Sequence, residues 1–253
     1  MKFGKILCAC FLGLILSTIT LSAGGGQEGE FRDLFNGRDL TGWEGSSQLW
    51  SVQDGAITGQ TTEASPVPRN QFLIWQGESP KNFELRMQVR LEGNNNSGIQ
   101  YRSQRLPELG EYVVGGYQAD IHLNAEYNAM LYEERGRGIV AEHGQKVIID
   151  EQGVKWIVGS TGPVSQADLG DWTEYTVIVQ GNHLVHKLNG KTAVEIIDHQ
   201  VAKRALEGII ALQVHQGPPM KVQFKSIQLK KLPDGGILSP ESTPIPKDAK
   251  KVP

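Results

Sequence analysis

The chain has 253 residues, of which 39% are hydrophobic and 21% charged, a balance that supports a sizeable core and excludes a wholly disordered protein. Its formal charge of −3 offers no general attraction to nucleic acid or to an anionic membrane, so neither is expected as a partner. Thirty glycines point to many turns.

At the N-terminus, Lys2 and Lys5 precede an apolar run from Ile6 to Ile19, closed by Leu21-Ser22-Ala23 and three glycines. This is the pattern of a secretory signal peptide over residues 1–23, and the run is shorter than the roughly 20 residues a spanning helix needs. Export to the periplasm or the medium is expected, with no transmembrane anchor after cleavage near Ala23. Both cysteines, Cys8 and Cys10, fall inside this segment, so the mature chain cannot be held by disulfides. Cleavage also removes Lys2 and Lys5, leaving 23 basic against 28 acidic side chains, a charge of −5.

Residues 24–30 form a glycine-rich leader, and residues 233–253 carry five prolines without an apolar period, which predicts a disordered tail. The folded unit is expected over residues 31–232. Within it, short strand signals recur and long amphipathic helical patterns do not. Phe83, Leu85, Met87, Val89 and Leu91 alternate with polar residues, the period of a strand buried on one face. Further strands are expected at Ile99 to Ser103, Tyr117 to Leu123, Ala129 to Glu134, Val147 to Asp150, Thr173 to Gln180, His183 to Leu188, Thr192 to Ile197, Gly208 to His215 and Val222 to Leu229. Asp54-Gly55 and Asn189-Gly190 suit two-residue hairpin turns. The fold class read from this pattern is all-β, an antiparallel two-sheet sandwich of jelly-roll type.

Three strands carry an unusual polar face: Gln100 and Arg102; Gln118, Asp120 and His122; Gln213 and His215. A solvated face usually bears Lys, Glu, Ser and Thr. Here the groups are Gln, Asp, Arg and His, which make directional or bidentate hydrogen bonds and suit a hydroxyl-rich, carbohydrate-sized ligand. The segment Leu131-Tyr132-Glu133-Glu134-Arg135-Gly136-Arg137-Gly138 adds two carboxylates and two guanidiniums. Adjacent strand residues face opposite ways, so if Leu131 faces the core, Glu133 follows it and Tyr132 and Glu134 face the site. The five tryptophans are expected mostly in the core.

The sequence holds no His-Glu-x-x-His, no Gly-x-Ser-x-Gly, no phosphate loop and no dinucleotide fingerprint. No organic cofactor is implied. A divalent metal on Asp120, Glu134 and His215 is left open, because no linear motif calls for it.

The stretches Phe31-Arg32-Asp33-Leu34-Phe35-Asn36-Gly37 through Gly42-Trp43, Asn96-Ser97-Gly98-Ile99-Gln100-Tyr101-Arg102-Ser103, Gly116-Tyr117-Gln118-Ala119-Asp120-Ile121, Leu188-Asn189-Gly190 and Phe224-Lys225-Ser226-Ile227 resemble the 3-keto-disaccharide hydrolase domain family. The resemblance implies a concanavalin A-like sandwich, export, and cleavage of sugars oxidised at C3. Such cleavage needs a base for the C2 proton, a proton donor for the leaving oxygen, and a clamp for the enolate. The residues supply His215 or Glu134 as base, Asp120 or the other of that pair as acid, and Arg102, Gln118, Arg135 or Arg137 as clamp. Gln100, Tyr132 and Gln213 complete the expected binding face. The alternative is a lectin-like module that binds glycans in the same groove without turnover. A retaining glycosidase fits poorly, since Gln118 stands where its first glutamate belongs.

Overall fold

A computed structural model describes Met1 and residues 29–252; the expected signal peptide and most of the leader lie outside the described residues. Eighteen strands follow one another among the described residues: β1 (Phe31–Asp33), β2 (Trp43–Glu44), β3 (Trp50–Gln53), β4 (Ala56–Gln60), β5 (Gln71–Trp75), β6 (Phe83–Gly93), β7 (Ser97–Arg105), β8 (Val114–Ile121), β9 (Leu131–Glu134), β10 (Gly138–Ala141), β11 (Gln145–Ile149), β12 (Lys155–Ser160), β13 (Thr173–Gln180), β14 (His183–Leu188), β15 (Lys191–Asp198), β16 (Ile209–Val214), β17 (Met220–Lys231) and β18 (Lys250–Lys251). They form two sheets. The larger runs β18-β12-β11-β15-β14-β13-β6-β17-β4-β3, with β1 added beside β17, and the smaller runs β10-β9-β8-β7-β16-β5-β2. Pairing is antiparallel except between β11 and β15.

The alternation in β6 does what its period requires: Phe83, Leu85, Met87, Val89 and Leu91 are buried in the common core while Arg86, Gln88 and Arg90 face outward. The smaller sheet contributes Ile99, Tyr101, Tyr117, Ala119, Ile121, Leu131, Ile210, Leu212 and Val214 to the same core. Asp54-Gly55 joins β3 to β4 and Asn189-Gly190 joins β14 to β15, with φ of 52° and 72° and of 49° and 77°, the paired positive angles of the tight turn that suits strand twist. Trp43, Trp50 and Trp75 are core residues, and none of the five tryptophans lines the cavity described below.

The proline-rich tail differs from its expectation. Asn182 accepts the Leu238 N–H at 2.8 Å and donates to the Leu238 carbonyl at 3.1 Å, so one side chain mimics a strand partner. Farther on, His199 Nε2 meets Thr243 Oγ1 at 2.9 Å, β18 pairs with β12, and Val252 packs on the core. Proline cannot build a ladder of its own, but the segment needs none, because it borrows partners from the sandwich. The β12 edge is covered where β18 pairs with it.

Candidate functional site

On the face of the smaller sheet turned away from the core, a cavity of about 590 Å³ is lined by side chains of β8, β9 and β16 and by the segments that flank them. Seven of the residues expected from the sequence line it: Gln118, Asp120, Tyr132, Glu134, Arg135, Gln213 and His215. The parity argument for β9 agrees with the structure for Leu131, which is in the core, and for Tyr132 and Glu134, which line the cavity, while Glu133 borders the cavity too but is tied to Arg137.

The floor is a directional chain of amides. Ser103 Oγ donates to Gln100 Oε1 at 2.6 Å, Gln100 Nε2 donates to Gln118 Oε1 at 2.6 Å, and Gln118 Nε2 donates to Asp120 Oδ1 at 2.6 Å. Gln213 Nε2 also donates to Gln118 Oε1, at 3.1 Å. Gln100 is therefore a buried support under Gln118 rather than a lining residue. Room for this chain comes from Gly98, opposite Asp120 in the β7–β8 ladder, where a Cβ would fall 2.3 Å from the Gln118 amide carbon. Burial raises the Asp120 pKa to about 7, against the lowering by Gln118, and the charge of Glu134 adds to the rise.

Glu134 is raised by burial and partly restored by Asn70 and Arg135. Asn70 Nδ2 donates to Glu134 Oε2 at 3.2 Å, and Arg135 Nε lies 3.4 Å from Oε1. His215 Nδ1 sits 2.5 Å from the Gln216 carbonyl, so its proton lies on Nδ1 and Nε2 carries a free lone pair. Burial holds its pKa below the usual histidine value. Among the other lining residues, His122 belongs to the polar face expected from the sequence but carries no assigned role there, and Asn70 has no part in that reading. His122 accepts the Asn124 N–H at Nδ1 (2.9 Å), which puts the proton of its neutral ring on Nε2; burial and then the nearby His215 lower its pKa. Asn70 precedes β5 in a turn with no distinguishing motif, and only the fold brings it to Glu134. Tyr127 and Tyr132 line the cavity and give it aromatic surface.

Two expected binding residues are elsewhere. Between Tyr101 and Gln104 the β7–β8 register shifts, and Arg102 sits in the bulge at φ 47°. The extra residue breaks the alternation. Its buried guanidinium donates to the carbonyls of Lys81 (3.0 and 2.5 Å), Gly181 (2.7 Å) and Ala205 (3.3 Å), which stitches loops together rather than facing a ligand. Arg137 is committed in the same way: it pairs with Glu133 and, at 2.6 Å, with Asp198, and reaches Gln200 at 3.1 Å. Tyr117 donates to the same Asp198 at 2.6 Å. Among the described residues no three His, Cys, Asp or Glu side chains are grouped to hold a metal ion, so Asp120, Glu134 and His215 share a cavity without forming a ligand set.

A polar cavity on one face of a two-sheet jelly roll defines a carbohydrate-related β-sandwich protein. Solved structures share that fold. The carbohydrate-binding module CBM66 from Bacillus subtilis is 13% identical, with a TM-score of 0.54 over 76% of this chain and 97% of that one. A protein from Parabacteroides distasonis, provisionally named a glycosyl hydrolase, is 16% identical, with a TM-score of 0.56 over 80% of this chain and all of the other. The kappa-carrageenase of Pseudoalteromonas carrageenovora, solved with an oligotetrasaccharide of kappa-carrageenan, is 11% identical, with a TM-score of 0.50 over 83% and 98%. No curated protein matches the sequence. Residues 30–230 match the model of the 3-keto-alpha-glucoside-1,2-lyase-like domain, and the chain belongs to that family.

Proposed function

We propose that this protein is an exported enzyme that cleaves 3-keto-glycosides by removing the C2 proton and expelling the C1 substituent. The observation that carries the reading is the pairing, in one cavity, of a neutral imidazole with a free Nε2 (His215) and a buried carboxyl poised at about 7 (Asp120). A base and an acid matched to neutral pH are what such an elimination requires. Family membership supports the same chemistry, and the cavity has the size usual for small-molecule sites.

The C3 carbonyl makes the C2 hydrogen acidic. His215 Nε2 takes that proton, and the electron pair of the C2–H bond forms an enolate whose charge rests on O3. The enolate collapses: the C3 carbonyl re-forms, a C1–C2 double bond appears, and the C1–O bond breaks. Asp120 Oδ1 accepts from Gln118, so its acidic proton resides on Oδ2 and passes to the leaving oxygen. The products are a 1,2-unsaturated 3-keto sugar and an alcohol, and water addition to the former completes a net hydrolysis.

His215 is the better base of the two candidates, because both oxygens of Glu134 already face donors, Asn70 and Arg135. Glu134 instead holds Arg135 at the cavity, where the guanidinium meets the enolate oxygen. Incubation with methyl 3-keto-glucoside or 3-keto-trehalose, followed by detection of the released alcohol or sugar, tests the reading. Glycan binding without release would favour the lectin-like alternative.

A further inference from the structure

Among the described residues, three buried side-chain polar atoms lack a hydrogen-bond partner: Arg32 Nε, Trp50 Nε1 and Gln213 Oε1. Only Gln213 lines the cavity. Its orientation is fixed by its neighbours. Gln118 turns Nε2 to Asp120 Oδ1, at 2.6 Å, and so presents Oε1 to the other side. That oxygen then demands donors, which Gln100 and Gln213 supply through their Nε2 groups. At the Gln100 end the Ser103 hydroxyl donates to Gln100 Oε1. Flipping Gln213 would set its Oε1 against Gln118 Oε1, two acceptors face to face. The amide polarity therefore runs from Ser103 to Asp120 and leaves Gln213 Oε1 as an unpaired acceptor on a residue with no exposed surface.

We infer that Gln213 Oε1 is a specificity-determining acceptor that receives one free hydroxyl of the sugar, so that the site selects glycosides bearing an unsubstituted hydroxyl at that ring position. A buried acceptor with no partner discriminates sharply, because an analogue lacking the hydroxyl leaves it unpaired in the bound complex. A ligand hydroxyl there replaces the bond that the protein itself does not provide. The inference rests on the proposed glycoside chemistry for its choice of substrate, and on the hydrogen-bond polarity alone for the role of Gln213.

The test uses methyl 3-keto-α-glucoside and its 2-deoxy, 4-deoxy and 6-deoxy forms, each with the wild-type protein, with Gln213→Leu and with Gln213→Met. In the wild type, one deoxy form loses about tenfold or more in kcat/KM. Gln213→Leu loses a similar factor on the parent sugar and shows no further loss on that same deoxy form. Gln213→Met, close in shape and likewise without the acceptor, repeats that pattern, and a melting curve for each variant guards against one that fails to fold. Equal deoxy effects in the wild type and Gln213→Leu would overturn the inference. If the wild type turns over none of these sugars, the lyase reading fails separately. The same cycle is then read by calorimetric binding of methyl α-glucoside and its deoxy forms, where coupling to Gln213 supports the inference and its absence overturns it.

Discussion

Asn70 and Glu134 are joined by a hydrogen bond of 3.2 Å from Nδ2 to Oε2, while Asn70 Oδ1 accepts the backbone N–H of Gln216 at 3.0 Å. One amide thus ties the carboxylate of β9 to the turn that carries His215, and its polarity is fixed because the Gln216 N–H can only donate. Replacing Asn70 by Asp turns a donor into a second carboxylate beside Glu134. Asn70→Asp should raise the Glu134 pKa further and lower kcat/KM by about 10- to 100-fold, with Asn70→Ala showing the smaller loss. Steady-state kinetics on a 3-keto-glucoside, with a melting curve to confirm folding, checks the order of the two.

Activity should have a narrow optimum. His215 acts as base only when neutral, and burial lowers its pKa below the usual 6.5. Asp120 acts as acid only when protonated, and its pKa is about 7. The kcat/KM profile should therefore rise as pH climbs through the lowered histidine value and fall above about 7. Asp120→Asn should abolish the alkaline fall while reducing kcat.

The same carboxyl has a cost in stability. Asp120 titrates at 3.8 when exposed and at about 7 when folded, so the folded state binds the proton more tightly. Stability is fully present below 3.8 and declines as pH rises through about 7. Asp120→Asn should be more stable than the wild type at pH 8, by on the order of 4 kcal/mol at most, with the difference shrinking toward pH 4. Urea unfolding at the two pH values measures it.

The ion pairs of Arg137 make the opposite prediction. Its side chain is 8% exposed, and that of its partner Asp198 is 1% exposed, so removing either leaves a buried charge without its counterpart. Arg137→Met or Asp198→Asn should destabilise the fold by about 3–5 kcal/mol, whereas a residue that only contacted ligand would change affinity and leave the melting temperature alone.

Gly98→Ala places a methyl against the Gln118 amide, with no room unless that amide moves. The substitution should lower kcat/KM more than it lowers the melting temperature, since the strand tolerates alanine and the amide chain does not. Equal kinetics in the two proteins would show that Gln118 does not position Asp120.

The alternation of Phe83 to Leu91 and the two turn dipeptides made the sandwich legible, because a period of two and a pair of positive φ angles are local properties. The polar face was legible for β8, β9 and β16 for the same reason. Arg102 was misread because a bulge in β7 breaks the parity on which the reading depends. Arg137 was misread because its partner Asp198 lies 61 positions away in sequence, a pairing no local pattern encodes. His122 was legible on the polar face, though without a role; Asn70 escaped assignment for lack of any motif, and the tail because its partners, Asn182 and β12, are supplied by the tertiary fold.

The most direct test follows hydrogen at C2. With a 3-keto-glucoside deuterated at C2, the account predicts release of the alcohol with a primary isotope effect on kcat/KM, loss of deuterium from C2, and loss of both release and washout in His215→Ala. Release of alcohol with deuterium fully retained at C2 and no isotope effect would contradict it.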